Sequence, residues 1–275
     1  MAGSQKSKSI GVFDSGFGGL DILKGIVKKL PDYDYVYLGD SARAPYGNRS
    51  QEVILKFSKQ AVDFLFKEGC EIIIFACNTA SSEALRIIQQ KYLPKKYPNK
   101  RVLGVLIPAV EDAGTKTKNK RVGVIATEAS VESKAFLDEF RKVDSKIKVF
   151  QKACPLLVPR VELGEVNKLS TKNILEQYLK PLVDKKVDTL VLGCTHYGIL
   201  ENKIKKIVGK DVKIISEARV VPNKLLDYLN RHSEIENKIS KGKKIRFCTT
   251  DHSDKFQKLG SKFFGKDIKV EKVNL

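Results

Sequence analysis

Cys77 and Cys194 are the side chains of this sequence best placed to do chemistry, because each closes a short apolar run and is followed at once by small polar residues. The first run reads Ile72-Ile-Ile-Phe-Ala-Cys-Asn-Thr-Ala-Ser and the second Thr189-Leu-Val-Leu-Gly-Cys-Thr-His. Runs this short with helical patterns after them read as buried strands, which puts each thiol at a strand's carboxyl end and a helix start. Free backbone N–H groups there favour a thiolate relative to the ordinary thiol pKa of about 8.5, and so make a base or nucleophile near neutrality. Asn78, Thr79 and Ser81 after the first cysteine, and Thr195 and His196 after the second, can cap the helix and hold a carboxylate. Cys70, Cys154 and Cys248 lack that setting and read as buried core thiols.

Strand-end cysteines need a sheet to hold them. Residues 9–13 form a short β-branched run that leads into Asp14-Ser-Gly-Phe-Gly-Gly and then a helical pattern with Leu20, Leu23, Ile26, Val27 and Leu30 three or four apart. The same unit recurs at residues 35–38, 71–76, 102–107, 121–125, 189–193 and 212–215, each followed by a turn or helix start. Strands alternating with helices predict an α/β fold with mainly parallel sheets. The chain also resembles itself. Residues 9–15 align with residues 121–127, superposing Gly11 on Gly123 at an offset of 112, and residues 72–79 align with residues 189–196, superposing Cys77 on Cys194 at an offset of 117. Two similar offsets in the same order predict two related halves, each carrying one strand-end cysteine.

Ligands of parallel α/β sheets bind beyond the strands' carboxyl ends, so both thiols are expected to face one cleft. A hydrolase or transferase needs one nucleophile with one base, and a redox pair needs sulfurs close enough to bond. A racemase needs two acid–base groups on opposite faces of one carbon, and duplication supplies that arrangement directly.

Composition bounds the alternatives. The chain has 275 residues, 42% of them hydrophobic, enough for a large core in one or two domains and too apolar for disorder. Apolar runs such as residues 72–77 and 105–110 fall far short of the roughly 20 residues of a membrane span, so no membrane association is expected. Residues 1–9 are small and polar without an apolar core, and are expected to be a loose tail rather than a signal peptide. Five cysteines without CxxC spacing argue against a disulfide framework or zinc site and for a reducing, cytoplasmic setting. Cys248, Asp251 and His252 are close in sequence but lack a fourth ligand and recognised spacing, so no metal is expected. The net charge is +19, from 51 Lys+Arg against 32 Asp+Glu. The lysines are spread along the chain with acids between them, which argues for a solvated basic surface and against nucleic acid as the main partner.

Four motifs in order, Asp14-Ser-Gly-Phe-Gly-Gly, Gly39-Asp-Ser-Ala-Arg-Ala-Pro-Tyr-Gly, Ala76-Cys-Asn-Thr-Ala-Ser and Leu192-Gly-Cys-Thr-His-Tyr, make the chain closely resemble the bacterial glutamate racemase family, from Ile10 to about Ile215. The resemblance implies two pseudosymmetric three-layer α/β domains with mainly parallel sheets facing a central cleft. It implies a discontinuous first domain, 1–100 plus 211–275, around a second, 101–210. It also implies interconversion of L- and D-glutamate without pyridoxal phosphate or any other cofactor, supplying D-glutamate for peptidoglycan synthesis. Cys77 would take the α-proton of D-glutamate and Cys194 that of L-glutamate, with Asp14 and His196 assisting their respective thiols and Glu162 on the second cysteine's side. Substrate contacts would fall to Ser15, Pro45, Tyr46, Gly47, Asn78, Thr79, Thr127, Ser130 and Thr195 besides Asp14, His196 and the thiols. On residue type alone, Asp14 fits a helix cap equally well, His196 a structural histidine, and Glu162 an exposed loop acid; Arg43 and Tyr46 fit loop organisers. A homodimer is compatible with the resemblance, though no helix face selects it. An aspartate-specific racemase stays open, since pocket length is not legible here, whereas a one-cysteine decarboxylase sits poorly with the thiol pair.

The sequence departs from the family pattern at five places. Asp21 stands where Thr is usual, Gly198 where Pro is usual, Ser130 where Thr is usual and Arg160 where an apolar residue is usual, and the family's Asp near Ile215-Ser216 is absent. Ser130 keeps the hydroxyl of Thr.

Overall fold

The computed structural model describes residues 7–251 and 254–275. Ten strands are present among them: β1 (Ile10–Asp14), β2 (Tyr35–Gly39), β3 (Ile72–Phe75), β4 (Arg101–Gly104), β5 (Arg121–Ala126), β6 (Lys148–Ala153), β7 (Thr189–Gly193), β8 (Lys213–Ile215), β9 (Ile245–Thr249) and β10 (Val270–Lys272). They form a six-stranded sheet in the order β10-β9-β2-β1-β3-β4 and a four-stranded sheet in the order β6-β5-β7-β8. Every pairing in both sheets is parallel. Helices pack against the sheets, and the central strands β1, β2, β3 and β7 are buried throughout. That is why they read as continuous apolar runs rather than alternating ones.

The internal repeat is visible in the topology. The order β2-β1-β3-β4 in one sheet has the same connectivity as β6-β5-β7-β8 in the other, and β9 and β10 extend only the first. The register agrees as well. Gly11 pairs with Ile73 across β1 and β3, and Gly123 pairs with Leu190 across β5 and β7. These are the partners that the offsets of 112 and 117 make equivalent. Both glycines sit under a packed helix or loop: a methyl on Gly11 would stand 3.1 Å from Cys70 Sγ, and one on Gly123 3.1 Å from Leu190 Cδ1.

Sheet membership moves the crossovers relative to a division near Lys100 and Asp211. β4 pairs with β3 in the six-stranded sheet, and β8 pairs with β7 in the four-stranded one. The run at residues 105–110 is the start of the helix Leu106–Lys116 rather than the end of a strand, because Leu106, Ala109, Val110 and Ala113 are spaced to bury one helical face. Pro108 is tolerated there since the first turn has no intrahelical N–H bond to lose. Strands β6, β9 and β10 carry exposed or charged side chains and gave no apolar run to detect. Ser7 to Ser9 is tied down rather than loose: Lys8 N–H donates to Ser240 Oγ at 3.1 Å, and the buried Ser9 hydroxyl lies 3.4 Å from Cys70 Sγ. Residues 1–6 of the expected tail, and His252 of the Cys248 cluster, lie outside the described residues. No group of three potential metal ligands occurs among the described residues. No described helix is long and apolar enough to cross a membrane.

Candidate active site

The carboxyl ends of β1, β3, β5 and β7 meet around a cavity of about 190 Å³ whose wall includes Ser15, Pro45, Tyr46, Gly47, Cys77, Asn78, Thr79, Thr127, Glu162, Cys194, Thr195 and His196. Both thiols therefore face one cavity, each from the end of the equivalent strand in its own half. Cys77 precedes the helix Asn78–Glu83; its Sγ accepts from Ala80 N–H and donates to Ser15 Oγ, both at 3.5 Å. Cys194 Sγ lies 3.9 Å from His196 Nδ1, and His196 Nε2 lies 3.4 Å from Glu162 Oε1. Tyr197 anchors that loop from below by donating to the Cys154 carbonyl at 3.1 Å.

Asp14 and Ser130 stand behind the wall. Asp14 ends β1, fully buried, and accepts from Gly16 N–H at 3.0 Å and from Thr195 Oγ1 at 3.5 Å, the latter a bond between the two halves. Ser130 accepts from Thr127 Oγ1 at 3.0 Å, and Thr127 in turn lies 3.0 Å from Thr79 Oγ1 across the cleft. The retained hydroxyl at 130 thus supports a wall residue.

The loop that follows β2 is held by Asp40, a buried acid that sequence reading passed over. Asp40 accepts from the Tyr46 hydroxyl, from Arg43 Nε at 2.7 Å and from Thr250 Oγ1 at 2.8 Å. Arg43 also stacks on Phe57, 4.1 Å from the ring centre. These contacts set Pro45, Tyr46 and Gly47 against the cavity, with Gly47 so close to the other half that a methyl there would stand 2.9 Å from Thr127 Cβ. Arg43 organises the loop, as its residue type allowed, whereas Tyr46 does so and lines the cavity as well.

The electrostatics reverse one expectation. Burial, with the negative charge of Asp14 second, pushes the Cys77 thiol up to about 11, and the bonds from Ser15 and Ala80 only partly offset it. Burial likewise pushes Cys194 well above the ordinary thiol range. The short helix start after Cys77 does not overcome removal from water, so neither buried thiol is a ready thiolate. Burial also raises Asp14, against the nearby His196 and the two backbone bonds. Among the described residues no Lys or Arg lines the cavity despite the charge of +19, so hydroxyl, amide and backbone N–H groups are its donors.

Cys154, read as a core thiol, is fully buried but forms part of the wall. Glu217 escaped notice altogether. It opens the helix Glu217–Arg231 right after β8, at the strand-end position that singled out both cysteines, and accepts from Asn78 Nδ2 at 2.7 Å. Three departures from the family pattern converge beside it: Asp21, Gly198 and Ser216 line one small void with Cys194, Thr195 and Glu217. A methyl on Gly198 would stand 2.9 Å from Asp21 Oδ2, so the acid at 21 and the glycine at 198 accommodate each other. Arg160 turns away to Glu165 and Ser170 and brings no cation to the cavity.

Duplicated parallel α/β halves about a shared cavity define a class of isomerase, and the chain belongs to it: residues 10–221 match the model of the Asp/Glu/Hydantoin racemase family. Within that family it is similar to glutamate racemases. That of Persephonella marina is 40% identical over 268 residues, covering 97% of each chain, and that of Aquifex aeolicus 39% identical, covering 94% of this chain and 95% of the relative. Among solved structures, glutamate racemase isoform RacE1 from Bacillus anthracis superposes with a TM-score of 0.90 at 33% identity, covering 98% of this chain and 99% of that one. Glutamate racemase from Francisella tularensis in complex with D-glutamate gives 0.88 at 35% identity, with 98% of each chain covered.

Proposed function

We propose that the chain interconverts L- and D-glutamate by a two-base reaction in which Cys77 and Cys194 work on opposite faces of one α-carbon. The observation that carries this reading is the placement of both buried thiols on one cavity, at the ends of equivalent strands in the two halves. Glutamate as substrate follows the named activity of relatives that match nearly the whole chain.

With D-glutamate bound, the positive charge of its ammonium group would favour the Cys77 thiolate that burial disfavours, and this thiolate takes the α-proton and becomes a thiol, leaving a carbanion delocalised into the α-carboxylate. Cys194, as a thiol, returns a proton to the opposite face and becomes a thiolate. One proton leaves and one arrives, so no oxidant, reductant or cofactor is needed for balance. Asp14 would attend Cys77, while His196, backed by Glu162, would attend Cys194. Ser15, Thr79, Thr127 and Thr195 would hold the carboxylates. Each needs a charge-assisted hydrogen bond rather than a full counter-charge.

The two halves are proposed to divide along the sheets, crossing after Gly104 and again after Ile215. A cytoplasmic role in supplying D-glutamate for peptidoglycan belongs to the same reading. Purified protein with no added pyridoxal phosphate should racemise L-glutamate and leave L-aspartate largely unchanged, as followed by circular dichroism. Turnover of aspartate with none of glutamate would assign the substrate otherwise.

A further inference from the structure

One buried hydrogen bond beside the cavity ties the start of the helix after β8 to the residue after Cys77, through groups that the proposed proton transfers do not use. Asn78, the residue after Cys77, donates from Nδ2 to Glu217 Oε2 at 2.7 Å, and the two side chains belong to residues only 2% and 3% exposed. The other oxygen of each group, Asn78 Oδ1 and Glu217 Oε1, is buried and has no hydrogen-bond partner among the described residues. A buried carbonyl without a donor is costly, and its persistence calls for an explanation.

An acid oxygen that accepts a hydrogen bond takes the N–H end of a neighbouring amide, whether the acid is ionised or neutral. Glu217 takes the Nδ2 end of Asn78 and thereby turns the Oδ1 end elsewhere. Asn78 forms part of the cavity wall, so the turned oxygen is an acceptor that an occupant of the cavity can satisfy. An amino acid brings such a donor, since its ammonium carries three N–H groups. The cavity's other side-chain acceptors include the carboxylates of Glu128 and Glu162 and several hydroxyls, of which those of Thr79, Thr127 and Thr195 are already engaged with one another, with Ser130 or with Asp14.

We propose that Glu217 is a positioning residue, which fixes the Asn78 amide so that Oδ1 accepts from the α-ammonium group of the substrate. The proposal rests on the reading of the site as that of an amino-acid racemase. It also gives the convergence of departures a role, because the acid absent at Ser216 is present one residue later, where it reaches the start of the helix after β3. The charged or titratable groups around Glu217 are Asp14, whose like charge opposes its ionisation, together with Asp21 and Cys194 on the shared void. Burial raises Glu217 to about 8, so near neutrality the group is largely the neutral acid, which still accepts through its carbonyl oxygen.

The test compares Glu217→Leu, which removes the acceptor, with Glu217→Gln, which keeps one. Loss of a charge-assisted contact to the ammonium should raise KM for both enantiomers of glutamate about tenfold in the Leu variant, with kcat changed less than about threefold. The Gln variant should stay within about threefold of the unaltered protein in both constants. Unchanged KM in Glu217→Leu, or equal defects in both variants, would overturn the proposal. A second readout serves if the Leu variant does not fold or if glutamate is not turned over. The Asn78 side-chain amide resonances, assigned by their loss in Asn78→Asp, should titrate with a midpoint near pH 8 in the unaltered protein and not in Glu217→Gln, and should move on addition of D-glutamate. Failure of turnover alone counts against the racemase reading; an amide that ignores both titration and amino acid counts against the role of Glu217.

Discussion

His196 Nε2 lies 3.4 Å from Glu162 Oε1 while its Nδ1 lies 3.9 Å from Cys194 Sγ, so one imidazole bridges a carboxylate and a thiol. The ring thus stands between the two groups, though its buried Nε2 makes no hydrogen bond among the described residues. Cys77 has a different attendant, the acid Asp14. The halves share a topology but place unlike groups beside their thiols.

That asymmetry predicts where variants will show their defect. The enantiomers have equal free energy, so kcat/KM must fall equally in both directions in any variant. Glu162→Gln should lower it about tenfold and His196→Ala by on the order of 10². The side of the defect is read instead from elimination of HX from β-substituted analogues, which needs only one base. Cys77→Ser and Cys194→Ser should each abolish racemisation, yet each should retain elimination from one enantiomer. His196→Ala should impair elimination from the enantiomer that Cys194 deprotonates and spare the other. Equal impairment of both would contradict the pairing of His196 with Cys194.

The raised thiols give a second expectation. With Cys77 near 11 in the protein without added substrate, its thiolate fraction should rise about tenfold per pH unit throughout pH 7–10. Alkylation of Cys77 by iodoacetamide, followed by peptide mass spectrometry, should therefore plot against pH with a slope of one. Removing the nearby negative charge in Asp14→Asn should speed alkylation at any given pH even though turnover falls. Alkylation that levels off near pH 8 would mean that the helix start outweighs burial after all.

The signals that worked were those carried by continuous local sequence. Both cysteines, the glycine loop after β1 and the loop holding Tyr46 sit at ends of fully buried strands, so burial and strand end were readable together. Asp40 and Glu217 also follow strands, but an acid there fits a helix or turn cap, and only the fold brings Thr250 to Asp40 and Asn78 to Glu217 from afar. Thiol ionisation was misjudged for a related reason, because a helix start is local whereas burial depends on both halves closing over it. The paired glycines Gly11 and Gly123 revealed the repeat because each faces a crowded interior, where a methyl would press on a neighbour at 3.1 Å.

Close approach of the halves makes Gly18 sensitive. A methyl there would stand 2.5 Å from Thr195 Oγ1 and 3.0 Å from His196 Nδ1, so Gly18→Ala must shift the loop that carries Cys194. A displacement of about 1 Å in a reacting group costs on the order of 10² in rate. The variant should lose activity to that extent, with thermal unfolding shifted by only a few degrees. Unimpaired turnover would show that the loop yields without moving the thiol.

Glu217 also makes a stability prediction with a definite sign. Its pKa is raised in the folded state to about 8, from 4.5, so the folded protein holds a proton that the unfolded chain releases between those values. The stabilisation is fully present below about pH 4.5 and is lost as pH rises through 8. Glu217→Gln cannot titrate, so its stability relative to the unaltered protein should improve as pH rises from 5 to 8. The improvement should be at most about 1.4 kcal/mol per pH unit. Denaturant titrations at four pH values measure the difference, and a pH-independent gap would mean that Glu217 is ionised in the fold.

The basic surface supplies the last test. The helix Glu201–Val208 buries Ile204 and Val208 and turns Lys205 and Lys206 to solvent, with Lys203 half-buried beside them. Lysines so spread bind DNA only by releasing counterions, an attraction that weakens steeply with salt. Reversing Lys203, Lys205 and Lys206 to Glu should leave racemisation within about twofold, since none of the three lines the cavity. The change lowers the net charge by six, from +19 to +13, so any affinity for duplex DNA at low salt should drop. At about 150 mM salt little binding should be seen with either protein, because each phosphate contact then contributes weakly. Tight, salt-resistant binding to one sequence that disappears in the triple variant would instead make this helix a nucleic-acid surface in its own right.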